Sequence, residues 1–144
     1  MASLHWQILT GLQMALAAVV DGASLRKKLE VTDGEALPLC LLAPGSGGER
    51  VAKQTFGKNT AWDYPVAVAY IESASGDVTL SQSFIDTRAA IRDALFSFAA
   101  LPGTVAWDFS IEPATAVDLG PYSESQVDVA AFLVHYRSSE QRTS

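Results

Sequence analysis

The side chains that could perform chemistry are few in this chain. It has one cysteine, Cys40, and two histidines, His5 and His135. A cysteine and a histidine would supply nucleophilic catalysis if the fold brought them within hydrogen-bond distance. Cys40, however, stands between leucines in the run LPLCLL, which is typical of a buried structural thiol. We therefore predict no catalytic residue and no enzymatic activity.

The sequence contains no recognisable metal-binding or cofactor-binding motif either. Neither CxxC nor HExxH occurs, and the two histidines are far apart. Glu72, Asp77 and Asp86 flank an apolar segment, where a turn and a solvated helix face explain them better than paired acid–base catalysis. The glycine run Gly45–Gly48 lacks the GK[ST] ending of a phosphate loop and is predicted to be a connector. We predict no metal and no cofactor.

Length and charge limit the remaining functions. The 144 residues indicate one domain, placed at residues 1–138, followed by a disordered polar tail at 139–144. A net charge of −6 argues against direct, sequence-specific binding of nucleic acid and against anionic membranes. Polar residues, among them Gln7 and Gln13, interrupt the apolar N-terminal stretch, so we expect no membrane span there. We expect a soluble cytosolic protein.

The elements that must position any site are organised around the segment Tyr64–Glu72 (YPVAVAYIE). It is apolar on both faces, which indicates a strand covered on both sides. Hydrophobic periodicity predicts two helices, one over Leu4–Val20 and one from Ser81 or Ser83 to Ala99. Further strands are predicted over Leu37–Leu42, Val105–Ile111 and Val127–Arg137, with an additional β-arm over Glu49–Lys58.

The predicted order, α-β-β-α-β-β, indicates an α+β fold. We expect a mainly antiparallel four-stranded sheet with two helices packed on one face. Two helices cover only one face, yet Tyr64–Glu72 and Val127–Arg137 are apolar on both. The second face is therefore expected to need a partner subunit.

We predict a set of residues at an interface with another subunit or with another component of an assembly. Aromatic side chains are enriched at interfaces, and lysines in so acidic a chain suit an acidic neighbour. The long loop Glu112–Glu124 is expected to be ordered by a partner or otherwise functional. The predicted interface residues are Lys53, Phe56, Lys58, Trp62, Ala67, Ala69, Tyr122, Phe132 and His135.

The layout of the chain resembles that of a known family. The features are the N-terminal helix Leu4–Val20, the Pro-containing strand Leu37–Leu42, the segment FGKNTAWDYPVAVAYIES, the helix SFIDTRAAIRDALFSF and a closing strand that ends in VHYRSS. Together they cover nearly the whole chain. In this layout the chain resembles the small tail-terminator and tail-completion (neck) proteins of long-tailed bacteriophages and prophages.

The resemblance implies a non-enzymatic virion protein. Such a protein forms a ring, typically a hexamer, at the head-proximal end of the tail tube and joins the tube to the head. The implied partners are further copies of the chain, the tail-tube protein and a head-completion or connector protein. The implied location is the tail or neck of the virion, with assembly in the host cytoplasm.

Two other functions remain open from the residues alone. One is a small cytosolic ligand-binding or enzymatic α+β domain that acts as a homo-oligomer, with a pocket between sheet and helices. The other is a homodimeric module that pairs two sheets face to face. The size of the protein in solution and the identity of neighbouring genes would discriminate among these functions.

Overall fold

The computed structural model of this chain describes residues 3–20, 22–45, 50–54, 59–74, 81–100, 103–111 and 117–141. Two helices and six strands follow one another, with a short 3-10 turn before the last strand. In chain order they are α1 (Leu4–Ala17), β1 (Ser24–Leu25), β2 (Leu39–Pro44), β3 (Arg50–Gln54), β4 (Asn59–Ser73), α2 (Gln82–Ser97), β5 (Val105–Ile111), the 3-10 turn (Glu124–Gln126) and β6 (Val127–Gln141).

The strands form one sheet in the order β1-β2-β4-β6-β5, with β3 also paired to β4. All pairs are antiparallel except β1 with β2. The α+β class with a mainly antiparallel sheet is confirmed, whereas the prediction of four strands is wrong. The predicted arm forms β3 and joins the sheet, and β1 is only two residues long, too short to produce an alternating pattern.

Both helices begin at serine caps and pack on one face of the sheet. Ser3 Oγ accepts a hydrogen bond from Trp6 N, and Ser81 Oγ accepts one from Phe84 N, each at 3.2 Å. Gly11 lets the helices approach, because a Cβ there would lie 2.7 Å from the Phe98 ring. The buried residues of this main core include Ile8, Leu12 and Leu16 of α1, Ile91 and Leu95 of α2, Val66 and Val68 of β4, and Phe132, Val134 and Tyr136 of β6.

The opposite face of the sheet is covered by the same chain. Ala67, Ala69 and Ile71 of β4 are buried there against two irregular segments, residues 26–37 and 117–122, which we call the cover. The cover contributes Leu29, Val31, Leu37, Val117, Leu119 and Tyr122. The expectation that this part of the sheet needs a partner subunit is therefore corrected. The apolar residues of the cover are not periodic, so no pattern in the sequence marked them as a packing layer.

The two segments of the cover are joined through their backbones. Val31 N donates to Asp118 O, and Asp118 N donates to Leu29 O, each at 2.9 Å. Gly120 sits where the segments meet, with a φ of +58°. A Cβ on Gly120 would lie 2.1 Å from Val31 O, so only glycine fits this approach.

Polar side chains hold the first segment of the cover in place. Arg26 forms a two-pronged ion pair with the Glu35 carboxylate, and Arg26 Nη1 also donates to Glu30 O at 2.9 Å. Tyr122 OH, from the second segment, donates to Glu35 O at 2.8 Å. The loop that contains Tyr122 is thus tied to the chain's own N-terminal half.

Strand β5 differs from its predicted facing pattern. Alternation predicts that Val105, Trp107, Phe109 and Ile111 share one face. The register with β6 instead shifts between Ala106 and Asp108, which inserts one extra residue. Such a bulge reverses the facing of the residues that follow it. Phe109 consequently packs on Phe132 in the main core, whereas Trp107 lies against His135, on the face opposite the helices.

The burial of Ala69 within a single chain gives a direct prediction. Ala69→Arg places a charge where the exposed fraction is 0%, and we expect a loss of more than about 3 kcal/mol in the free energy of unfolding. Urea denaturation measures this loss. Ala17→Arg is the matched control, because Ala17 is exposed in the last turn of α1, where a cation is tolerated. Equal stability of the two variants would show that the second face is open to water.

The close approach at Gly120 gives a second prediction, with Gly34 as its control. Both glycines have positive φ, so alanine at either position costs about 1–2 kcal/mol in backbone conformation. Only Gly120 also faces a backbone oxygen, whereas a Cβ on Gly34 would meet nothing within 4 Å. We expect Gly120→Ala to cost at least about 1 kcal/mol more, as the hydrogen bonds between the cover segments lengthen. Equal losses in urea denaturation would contradict the packing of the cover.

Candidate assembly surface

Exposed apolar side chains concentrate where the sheet ends at β5. Seven large hydrophobic residues are exposed among the described residues, and four of them lie here. They are Ile85 (40% exposed), Phe96 (66%), Val105 (54%) and Trp107 (43%). Because β5 is the last strand of the sheet order, its outer edge has no strand partner in the described ranges. These four residues, with Arg88 and Arg92, are called the β5-edge surface.

One side of this surface is a flank of α2. Ile85, Arg88 and Arg92 line a shallow groove, because residues three, four and seven positions apart fall on one side of a helix. The groove continues past Phe96 to Phe109 of β5. Arg92 pairs with the neighbouring Asp93 at 3.0 Å, whereas the half-buried Arg88 has no carboxylate partner among the described residues. The flank therefore offers apolar contacts and a guanidinium group that no carboxylate pairs with in the described part of the chain.

The other side of the surface is built on a buried aspartate. Asp63 is 1% exposed, and the Nδ1–H of His135 donates to its carboxylate, with distances of 2.9 and 3.0 Å to the two oxygens. The imidazole in turn lies against Trp107, with 5.9 Å between ring centroids. The guanidinium of Arg137 lies 5.7 Å from the centroid of the Trp107 ring. Trp107 is thus exposed yet lies between the imidazole of His135, which Asp63 holds in place, and the guanidinium of Arg137.

This combination is characteristic of a binding surface for another macromolecule. Tryptophan and arginine are the residue types that most often dominate the energy of protein interfaces. Pre-positioned side chains lose less conformational freedom on binding than mobile ones. The β5-edge surface is therefore the strongest candidate for a contact between subunits.

Of the nine predicted interface residues, five belong to the body of the domain. His135 supports Trp107 and so adjoins the β5-edge surface. Ala67 and Ala69 lie under the cover, and Tyr122 is part of the cover. Phe132 is fully buried in the main core beneath the helices. The fold thus disperses these residues instead of bringing them together.

The other four predicted interface residues lie in the predicted arm or, for Trp62, in the neighbouring part of β4. Lys53 lies in β3, opposite Ala61 of β4. Trp62 is half-buried and packs against the main core. Phe56 and Lys58 lie outside the described residues. The structure therefore provides a paired β-strand for the predicted arm without bringing its residues together with His135.

The prediction from sequence missed the α2 flank. Ile85 and Phe96 are apolar residues that fall off the buried stripe formed by Phe84, Ile91 and Leu95. An apolar residue off the buried stripe of an amphipathic helix is the signal that could have identified this surface. Alternation alone placed Trp107 on the same face as Phe109, because no sequence pattern predicts the bulge that separates them.

The reactive groups are held in structural roles. Burial raises the pKa of the Cys40 thiol to about 12, so the thiol is protonated at neutral pH. His5 is buried with its Nε2 2.9 Å from Pro65 O. Burial, reinforced by its hydrogen bond to Glu72, raises the pKa of Tyr70 to about 12. No group of three or more potential metal ligands exists among the residues that the structure describes.

Within the described ranges, neither helix is both long and apolar enough to cross a membrane.

Comparisons with known proteins found similarity to solved structures only. No protein-family model matches the chain, and no curated protein sequence matches it. A chain in the solved structure titled "Virion of native gene transfer agent (GTA) particle" is similar at 19% sequence identity, with a TM-score of 0.47. The match covers 95% of this chain and 91% of that chain. The role of the β5-edge surface is therefore inferred from its own residues.

A double-mutant cycle tests the support beneath Trp107. We expect Asp63→Ala and His135→Ala, made singly and together, to show a coupling free energy of about 1–3 kcal/mol in urea denaturation, because the imidazole donates to a buried carboxylate. A control cycle of Asp63→Ala with Arg92→Ala should be additive within about 0.5 kcal/mol, since Arg92 is on the exposed side of α2. Additivity in both cycles would contradict the proposed support.

Proposed function

We propose that this chain is a structural protein of a phage-like virion, namely a tail-terminator or tail-completion protein. It forms a ring at the head-proximal end of a tail tube and joins the tube to the head. The observation that carries an assembly role is the concentration of exposed apolar and arginine side chains at the β5 edge of the sheet, which has no strand partner among the described residues. The assignment to phage tails is supported by the family resemblance of the sequence.

The form of the β5-edge surface favours a protein partner over a small ligand. Small molecules usually bind in enclosed pockets that bury most of the ligand. The part of this surface on α2 is instead a shallow groove that reaches Phe109 of β5, and Phe96 in this groove is 66% exposed. In a chain of net charge −6, the arginines of this surface also provide a place where an acidic protein can approach.

The arm provides a second region for contacts. Strand β2 pairs with β4 only from Val66 onward, whereas β3 pairs with its first half, Thr60 to Asp63. Beyond Arg137, β6 pairs with β4 but no longer with β5. Beyond the ends of β2 and β5, the sheet therefore continues as three strands, β3, β4 and β6. We assign this arm to contacts with the tail-tube protein or the head-completion protein, with Lys53 among the contact residues.

On this proposal the protein acts by binding alone, without catalysis and without a cofactor. Its partners are other copies of itself, the tail-tube protein and a head-completion or connector protein. Neither nucleic-acid sequence nor membrane is recognised. The protein is located in the virion neck after assembly in the host cytoplasm.

Electron microscopy and light scattering test the proposal. We expect the purified protein, concentrated or mixed with isolated tail tubes, to form rings, seen either free or at one end of a tube. Light scattering should give a mass that is a whole multiple of 15.3 kDa, and six is the multiple that the resemblance implies. A protein that stays monomeric and leaves both tube ends bare would contradict the proposal. Ala36→Glu, which changes an exposed residue of the cover, is the control and should behave as the unmodified chain.

A further inference from the structure

The exposed apolar residues outside the β5-edge surface form a second patch on and beside α1. Trp6 is 52% exposed and Met14 is 78% exposed, and Val19 follows just after the helix. With the β5-edge surface, this patch accounts for all seven exposed large hydrophobics in the described part of the chain. Residues 3–20 also contain no Asp, Glu, Lys or Arg. We call Trp6, Met14 and Val19 the α1 patch.

The two patches lie toward opposite edges of the sheet. Helix α1 packs near β1 and β2, at one end of the strand order, whereas α2 packs near β5 and β6, at the other end. A two-fold symmetric dimer uses the same patch on both subunits. A contact between two different patches is head-to-tail and repeats from copy to copy, which generates either a closed ring or a filament.

The charges of the two patches also fit each other. Copies of a chain with a net charge of −6 repel one another, so contact is least opposed where no carboxylate is exposed. The α1 patch lies on such an uncharged segment. The β5-edge surface presents Arg88, which has no carboxylate partner in the described ranges, and the exposed carboxylate in its groove, Asp93, is paired with Arg92. An indole such as that of Trp6 can accept a guanidinium on its face.

The spacing of the exposed residues is compatible with two helices lying side by side. Trp6 and Met14 are eight residues apart, which corresponds to about 12 Å along a helix axis. Ile85 and Phe96 are eleven residues apart, or about 16 Å. Two exposed ridges of similar length can therefore pack along each other.

We propose that the α1 patch of one copy docks on the β5-edge surface of the next copy. This inference rests on the proposed function in that repetition of the contact would build the ring. It is more specific than that function, because it names the two surfaces and states that they differ. A ring built through other surfaces would overturn this inference alone.

Cysteine cross-linking tests which surfaces meet. The only native cysteine, Cys40, is buried, so introduced thiols can be followed without background. Met14→Cys and Phe96→Cys chains, mixed and oxidised, should form a disulfide-linked heterodimer, and neither variant alone should link to itself. A chain that carries both substitutions should give a ladder of multimers. Ala36→Cys, exposed on the cover, is the control and should not link to either variant.

Each outcome of the cross-linking is decisive. Self-linking of either single variant would indicate a two-fold contact and would overturn the inference. Rings in the microscope without the mixed disulfide would overturn the inference while leaving the proposed function intact. A protein that neither links nor forms rings would overturn both.

Charge substitution supplies an independent readout. Phe96→Glu and Met14→Glu should each weaken self-association at least tenfold in sedimentation experiments, because each places a carboxylate in an apolar contact. The melting temperature of the monomer should remain unchanged, since both side chains are exposed in the single chain. Ala36→Glu controls for added negative charge. Unaltered association of both variants would contradict the proposed contact.

Discussion

The pairing of β4 with β6 is the constraint on which the rest of the structure depends. The two strands run side by side through all fifteen residues of each, about 50 Å of continuous antiparallel ladder. In its middle the pair is apolar on both faces, so both faces must be removed from water. Helices α1 and α2 cover one face, and the irregular cover buries part of the other. The ladder also extends past the ends of β2 and β5, where β3 of the arm pairs with β4.

A buried carboxylate in this ladder, that of Asp63, is linked through His135 to the exposed Trp107. Asp63 is nearly inaccessible to solvent, and a buried carboxylate is tolerated only when it accepts hydrogen bonds. His135, on the neighbouring strand, supplies one of these bonds, and its ring forms part of the support for Trp107. The bulge in β5 turns Phe109 into the main core and leaves Trp107 on the same face as His135. An exposed tryptophan is thereby held in place by an interaction that the core requires.

The distribution of charge and apolar surface gives the domain two unlike ends. Residues 3–20, which include α1, carry no charged side chain and expose Trp6 and Met14, whereas the β5 edge combines aromatic residues with arginine. In a monomer, the exposed side chains of Met14 and Phe96 lower solubility without adding stability. In a repeating assembly, two unlike ends are what a head-to-tail contact needs. The two edges of the sheet are therefore the surfaces on which the proposed assembly depends.

The sequence by itself determined both helices and the longer strands, but not the two-residue β1. Periodicity and capping residues predicted α2 from Ser81 or Ser83, and the structure has Ser81 as the cap. The run Val105–Ile111 coincides with β5, because these signals are local. The apolar character of Tyr64–Glu72 likewise predicted a strand buried on both faces. What covers the second face was decided only by the tertiary structure, since Leu29, Val31 and Leu119 lie in segments without periodicity. The bulge at Trp107 and the pairing of Asp63 with His135, 72 residues apart, depend on strand register, which local sequence does not encode.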